Sequence, residues 1–305
     1  MNNLISDLKS LEIETLKNLK NSKSHNTLRA YHADFKDFSA FCIKNGLSSM
    51  PTEPKILSIY LTHLSKSSKF STLKRRIASI KVIHKMKGHY LDTKHPIIME
   101  NLLGIKRING SYQLSKKPLL IRDLKQILNV IDEKEINEIK RVRNKSLILL
   151  GFSGGFRRSE LVNIEYDDLE FVDEGLKIFI KRSKTDQIGE GSIKAIPYFE
   201  NSAYCPVIKL QDWIKYKSIN SGTIYQISDK SVSLIIKKYA ILAGLDPNKY
   251  GGHSLRSGFA TAAAEAGAEE RNIMAMTGHK TTQMVRRYIK EANLFKNNAL
   301  NKIKI

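Results

Sequence analysis

Cysteine is all but absent from this 305-residue chain. Cys42 and Cys205 stand far apart with no Cys-x-x-Cys spacing, which excludes a disulfide framework or a cysteine-rich zinc site. Both are expected to be half-buried thiols. Long hydrophobic runs are missing too: the most apolar stretch, Ser146 to Phe152, falls well short of the roughly 18 residues a membrane span needs. The first residues mix Asp7, Glu12 and Glu14 among leucines, so they lack a secretory hydrophobic region. The expectation is a cytoplasmic protein with no membrane contact. Acid is scarce relative to base, with 30 Asp+Glu against 51 Lys+Arg, a net charge of +21 and a pI near 9.8. That balance is the electrostatic footprint of a partner to a polyanion such as nucleic acid.

The charge is not spread evenly. Residues 1–110 hold 19 Lys+Arg and 8 Asp+Glu, a balance of +11, whereas the remaining 195 residues carry +10. A polyanion is therefore expected to touch both parts and the first more heavily.

Apolar periodicity organises the chain. Residues 1–26 carry only a weak leucine pattern and read as an arm or short helix. Residues 27–109 read as four helices. The first shows Leu28, Tyr31, Phe35, Phe38 and Cys42 on one face and stops at Asn45-Gly46, and the second opens at Pro54. The third, with Ser71 and Thr72 as candidate caps, turns Leu73, Ile77, Ile80 and Ile83 inward and Lys74, Arg75, Lys81 and Lys85 outward. The fourth opens at Pro96. His84, His89 and His95 have no ligand spacing and read as loop or surface histidines.

Residues 110–118 lose periodicity and gather Gly, Ser, Lys and Pro, as a linker does. Residues 119–305 then read as helices around a β-hairpin, Leu176–Ile180 with Ile193–Pro197, whose tip carries Lys184. Gly251 to Ile289 reads as three short helices broken at Gly267-Ala268 and Thr277-Gly278. These place His253, Arg256, His279 and Tyr288 on one compact unit. Upstream, the turn Gly154-Gly155-Phe156 holds Arg157 at a helix start, the setting bidentate phosphate binding needs.

Taken together, Gly155-Phe156-Arg157-Arg158-Ser159-Glu160-Leu161, Lys184, His253-Ser254-Leu255-Arg256, Gly278-His279 and Tyr288 resemble the tyrosine recombinase family, which includes phage integrases, Xer-type recombinases and Cre. That family's pattern is Thr-Gly-x-Arg-x-x-Glu-Leu, a hairpin lysine, His-x-x-Arg, a His or Trp after glycine, and a tyrosine about nine residues on. Gly154 stands here where the family commonly has Thr. The resemblance implies a mainly α fold with a small sheet in two domains: an N-terminal helical, SAM-like core-binding domain and a mixed α/β catalytic domain, forming a C-shaped clamp on DNA.

It also implies the chemistry. Tyr288 is expected to attack a DNA phosphate, giving a 3′-phosphotyrosine and a free 5′-hydroxyl, with no metal, ATP or other cofactor. Arg157 and Arg256 would clamp the phosphate and His279 would add a donor. His253 would be a general base or a phosphate ligand, Lys184 would protonate the leaving oxygen, and Glu160 would orient Arg157 or His253. Lys181 and Arg182 are close rivals to Lys184.

The implied partners are double-stranded DNA with inverted-repeat sites and three further copies of the chain. They would form a tetramer on two duplexes through the tail 290–305, where Ala292, Phe295, Ala299, Leu300 and Ile303 fall along one possible helix face. Lys116 and Lys117 join Lys74, Arg75, Lys81 and Lys85 as candidate DNA contacts. A type IB topoisomerase-like relaxing enzyme and an inactive DNA-binding regulator remain alternatives.

Overall fold

The computed structural model describes residues 2–110, 116–181, 191–292 and 299–303. The chain divides into two compact units, Met1–Gln113 and Leu114–Ile305.

The first unit is all helical: α1 (Asn2–Asn21), α2 (His25–Lys44), α3 (Pro54–Ser65), α4 (Phe70–Met86) and α5 (Pro96–Asn109). The first segment is thus a 20-residue helix, longer than the arm its weak pattern suggests, with Leu8, Leu11 and Ile13 exposed. Ser24 caps α2 by accepting from Thr27 N at 3.3 Å. The α2 stripe closes on α3, α4 and α5 through Phe38, Cys42, Leu57, Tyr60, Leu61, Leu73, Ile80 and Ile98. Each such fully buried side chain contributes roughly 1.5–3 kcal/mol of transfer free energy.

Four sequence expectations differ here. Ser71 and Thr72 do not cap α4, which starts a residue or two earlier behind Lys69. Cys42 and Cys205 are fully buried rather than half-buried. His84 is no surface histidine: it is fully buried, its Nδ1 lies 2.8 Å from Ile80 O, and its Nε2 accepts from Thr52 N at 3.2 Å. Burial lowers its pKa, so the neutral ring that fills these two bonds is the stable form. Arg75 does not simply face outward either, since its guanidinium pairs with the buried Asp34 of α2.

The second unit contains α6 (Ile121–Lys134), α7 (Glu138–Ser153), α8 (Arg158–Val162), a three-stranded antiparallel sheet, and then α9 (Pro206–Lys217), α10 (Asp229–Leu242), α11 (Gly252–Glu265), α12 (Glu270–Thr277) and α13 (Thr282–Ala292). The sheet runs in the order β1 (Leu169–Val172), β2 (Gly175–Ile180), β3 (Ser192–Pro197), with Leu176 opposite Ile196 and Ile178 opposite Lys194. α7 is the central core helix, with Leu147, Ile148, Leu149 and Leu150 all buried, as its apolar run requires. A smaller core of Ala260, Ala264, Ile273 and Val285 joins α11, α12 and α13. No helix among the described residues is long and apolar enough to cross a membrane.

Candidate active site

Two turns and two helices build the site. The first turn follows α7: Gly155 adopts φ +55, and a Cβ there would stand 3.1 Å from Phe259 and 3.2 Å from Thr277, so any other residue would be strained. Phe156 folds back into the core, and Arg157 becomes the residue before α8. The departure at Gly154 has a steric reason, because a Cβ at that position would lie 2.0 Å from the Phe156 ring. Glu160, 3% exposed on its side chain, accepts from Arg157 N at 2.9 Å and pairs with Arg157 Nη1 at 2.5 Å. It therefore holds Arg157 rather than His253. Arg157 Nη2 donates onward to Gly278 O at 3.1 Å.

The second turn is Thr277-Gly278-His279, where Gly278 takes the left-handed conformation that ends α12. His279 is buried, with Nδ1 2.7 Å from the Thr277 hydroxyl, which itself lies 2.6 Å from Ile273 O. Nδ1 is thereby satisfied inside the fold and Nε2 is the nitrogen left for the cleft. Burial first, then the charges of Arg256 and Arg157, push His279 down to about 4, so it is neutral at pH 7.

Helix α11 supplies Arg256 and His253, and α13 supplies Tyr288. Arg256 is 1% exposed and donates Nη1 to Gly155 O at 2.9 Å. No carboxylate among the described residues pairs with it, and burial plus Arg157 lower its pKa to about 10. His253, one turn earlier, is lowered by desolvation and then by Arg256, Arg157 and Arg158. Its Nε2 lies 3.5 Å from Tyr288 Oη, and the Tyr288 ring is 6.1 Å from the His279 ring.

Arg157, His253, Arg256 and His279 thus line one cleft of about 610 Å³, with Tyr288 of α13 beside it. Lys184 lies outside the described residues. Lys181 is committed elsewhere, to Glu165 at 2.5 Å and Asp168 at 2.9 Å, and these partners raise its pKa. The exposed Lys74, Lys81, Lys85, Lys116 and Lys117 lie on other segments, and Lys116 Nζ donates to Asn248 O.

Sequence reasoning missed several members. Asp229 comes from α10 to line the cleft and sits 3.8 Å from Arg158. Nothing in the motif spacing announces it. Thr277, behind His279, and Lys194, behind both turns, were also missed. For Lys194 a signal existed, since two-residue alternation in β3 puts it on the face of Ile196. Among the described residues no group of His, Cys, Asp and Glu could hold a metal ion.

Residues 119–294 match the Phage integrase family and residues 14–89 match its N-terminal SAM-like domain. The chain belongs to the phage integrase family. Among similar proteins, the integrase/recombinase xerD homolog of Selenomonas ruminantium is 39% identical over 99% of this chain and 92% of its own length. A tyrosine recombinase of Agathobacter rectalis is 29% identical over 86% of this chain and 85% of its own. In fold, the chain resembles the XerH site-specific recombinase solved with palindromic difH substrate (TM-score 0.62, 18% identity, 81% of this chain and 73% of that one). It also resembles a lambda integrase dimer solved on a COC′ core site (TM-score 0.60, 17% identity, 97% and 98%). The chain is a tyrosine recombinase by family and fold, and site-specific DNA recombination is the function its relatives support.

Chemically, the cleft of the recombinase offers permanent positive charge from two guanidiniums and a neutral imidazole next to a phenol. Planar guanidiniums match a tetrahedral phosphate through paired donors, and donors already held in place need no reorganisation as charge develops.

Proposed function

We propose that this recombinase cuts and rejoins DNA at inverted-repeat sites through Tyr288. The observation that carries the reading is the placement of Tyr288 Oη 3.5 Å from His253 Nε2 at a cleft lined by Arg157, Arg256 and His279. Tyr288 Oη attacks the backbone phosphorus and a P–O bond forms as the bond to the 5′-oxygen breaks. His253, held neutral, takes the phenolic proton, which a group with an ordinary pKa near 10 must shed as it attacks. Arg157 and Arg256 stabilise charge on the non-bridging oxygens. Lys184 gives a proton to the leaving 5′-oxygen. The product is a 3′-phosphotyrosine and a free 5′-hydroxyl. A 5′-hydroxyl from a second strand reverses the attack, so the phosphoester is passed on without hydrolysis and no energy source is consumed.

DNA binding draws on the +11 balance of residues 1–110, with Lys74, Lys81, Lys85 and the Asp34-paired Arg75 on α4. Lys116 and Lys117 contribute from the start of the second unit. Four copies assemble on two duplexes, linked by the tail 290–305, half of which lies outside the described residues.

A two-site assay tests this reading. A plasmid bearing two copies of a site, selected by the protein from a randomised inverted-repeat library, is expected to give exchanged products. Deleting residues 293–305 is expected to abolish exchange while a single site still shifts in a gel. Relaxation of site-free plasmid without exchange, or full exchange by the shortened chain, would contradict the assignment.

A further inference from the structure

One buried cation takes no part in the chemistry above. Lys194 sits at a core-facing position of β3, opposite Ile178, and is 5% exposed. Two-residue alternation calls for an apolar side chain there, and the apolar Ile193 beside it points outward instead, 67% exposed. No carboxylate among the described residues bonds Lys194. Its Nζ donates to Gly154 O at 2.7 Å and to Met276 O, and stands 4.5 Å from the centroid of the Phe156 ring.

Those three contacts have a common meaning. Gly154 and Phe156 belong to the turn that delivers Arg157, and Met276 precedes by three residues the His279 of the second turn. Two further bonds run beside them, Arg256 Nη1 to Gly155 O and Arg157 Nη2 to Gly278 O. Arg157 Nη2 joins the two turns from the cleft, and the Lys194 ammonium joins them from behind, with one carbonyl bonded at each. Holding a charge there is costly: burial lowers Lys194 to about 8, with Glu160 opposing and Arg256 and Arg157 adding to the effect. An apolar side chain of the same volume would remove that cost but leave two buried carbonyls without a donor.

We propose that Lys194 is a positioning residue whose ammonium sets the separation of the Arg157 turn from the His279 turn, so that both side chains meet one phosphate. The inference rests on the recombinase reading above. Misplacing a catalytic group by about 1 Å costs on the order of 10²-fold in rate. Lys194 therefore governs the cleavage step, with little influence on site affinity.

The test uses the full chain and a nicked duplex carrying the selected site, so that cleavage traps a covalent adduct. Lys194→Met is expected to bind within about threefold of wild type and to cleave roughly 10²-fold more slowly in single turnover. Lys194→Ala is expected to regain at least roughly tenfold in rate with propylammonium, which replaces the missing three carbons and nitrogen. Propanol, of equal size but uncharged, is expected to restore far less, a difference that a space-filling role would not produce. Wild-type cleavage rates in Lys194→Met, or equal rescue by propanol, overturn the proposal. So does loss of the cooperative thermal transition in both variants, which would make Lys194 a residue of the fold rather than of the site. Absence of adduct in the wild-type protein is a separate result and counts against the recombinase reading instead.

Discussion

Replacing Arg256 by methionine should make the protein more stable and nearly inactive. Arg256 is 1% exposed, bonds one carbonyl and has no carboxylate partner among the described residues. Lowering its pKa from 12.5 to about 10 corresponds to about 3 kcal/mol of unfavourable charging, present at every pH below about 10 because the group is charged there in both folded and unfolded chains. Methionine keeps most of the apolar stem and removes that cost. Against it stands Gly155 O, left without its donor, at about 1–3 kcal/mol. The balance is a gain of about 1 kcal/mol, or roughly 2–4 °C in Tm for a unit of this size. Replacing a buried charge with a well-packed apolar group commonly goes this way. Cleavage should fall by about 10²–10³-fold, the usual loss when a preorganised donor to transition-state charge is removed. Denaturant melts and single-turnover cleavage on the nicked duplex measure both quantities. A variant destabilised by more than about 2 kcal/mol, or one cleaving within about tenfold of wild type, would refute the view of Arg256 as a charge held in reserve for phosphate.

Two other perturbations have defined outcomes. Glu160→Ala removes the acceptor for both Arg157 N and Nη1, and should cost about 2 kcal/mol, below the usual loss for a broken buried pair because Arg157 is 18% exposed and rehydrates from the cleft; urea melts would show it, and an unchanged midpoint would mean that Glu160 does not hold Arg157. His279, lowered to about 4, should give a stability that is complete above pH 6.5 and is lost as pH falls toward 4, by up to about 3 kcal/mol, because the unfolded chain takes up the proton first. Melts at pH 7.5 and pH 5 should therefore differ less in His279→Asn than in the wild type, and an equal difference would place the titration elsewhere.

Much of this site could be read from the chain because its chemistry sits at interruptions of helical periodicity. Gly155, Gly267 and Gly278 all adopt positive φ, and the breaks at 267 and 278 separate α11, α12 and α13 as the pattern requires. What escaped reading depends on contacts between distant segments. β1 is four residues long with a burial pattern that does not alternate, so it acquires its identity only by pairing with β2. α1 leaves Leu8, Leu11 and Ile13 exposed in place of closing them on a core, so its leucines fail to mark it as a full helix. His84 is buried because Thr52 N, 32 residues away, needs an acceptor, a demand with no local trace. Lys194 is an intermediate case: alternation in β3 puts it on the face of Ile196, but a lysine in a strand reads as solvent-facing unless the two carbonyls it serves are already placed.

Tyr288 itself is expected to become joined to DNA. The nicked duplex with radiolabel on the strand that would remain attached, incubated with the protein in excess chelator, provides the direct measurement. The adduct is digested with protease and the labelled peptide sequenced by mass spectrometry. A nucleotide carried on the tyrosine of Met284-Val285-Arg286-Arg287-Tyr288-Ile289, and no adduct from Tyr288→Phe at unchanged site affinity, is the predicted result. Label on any other residue, or cleavage that leaves no covalent adduct, would contradict it.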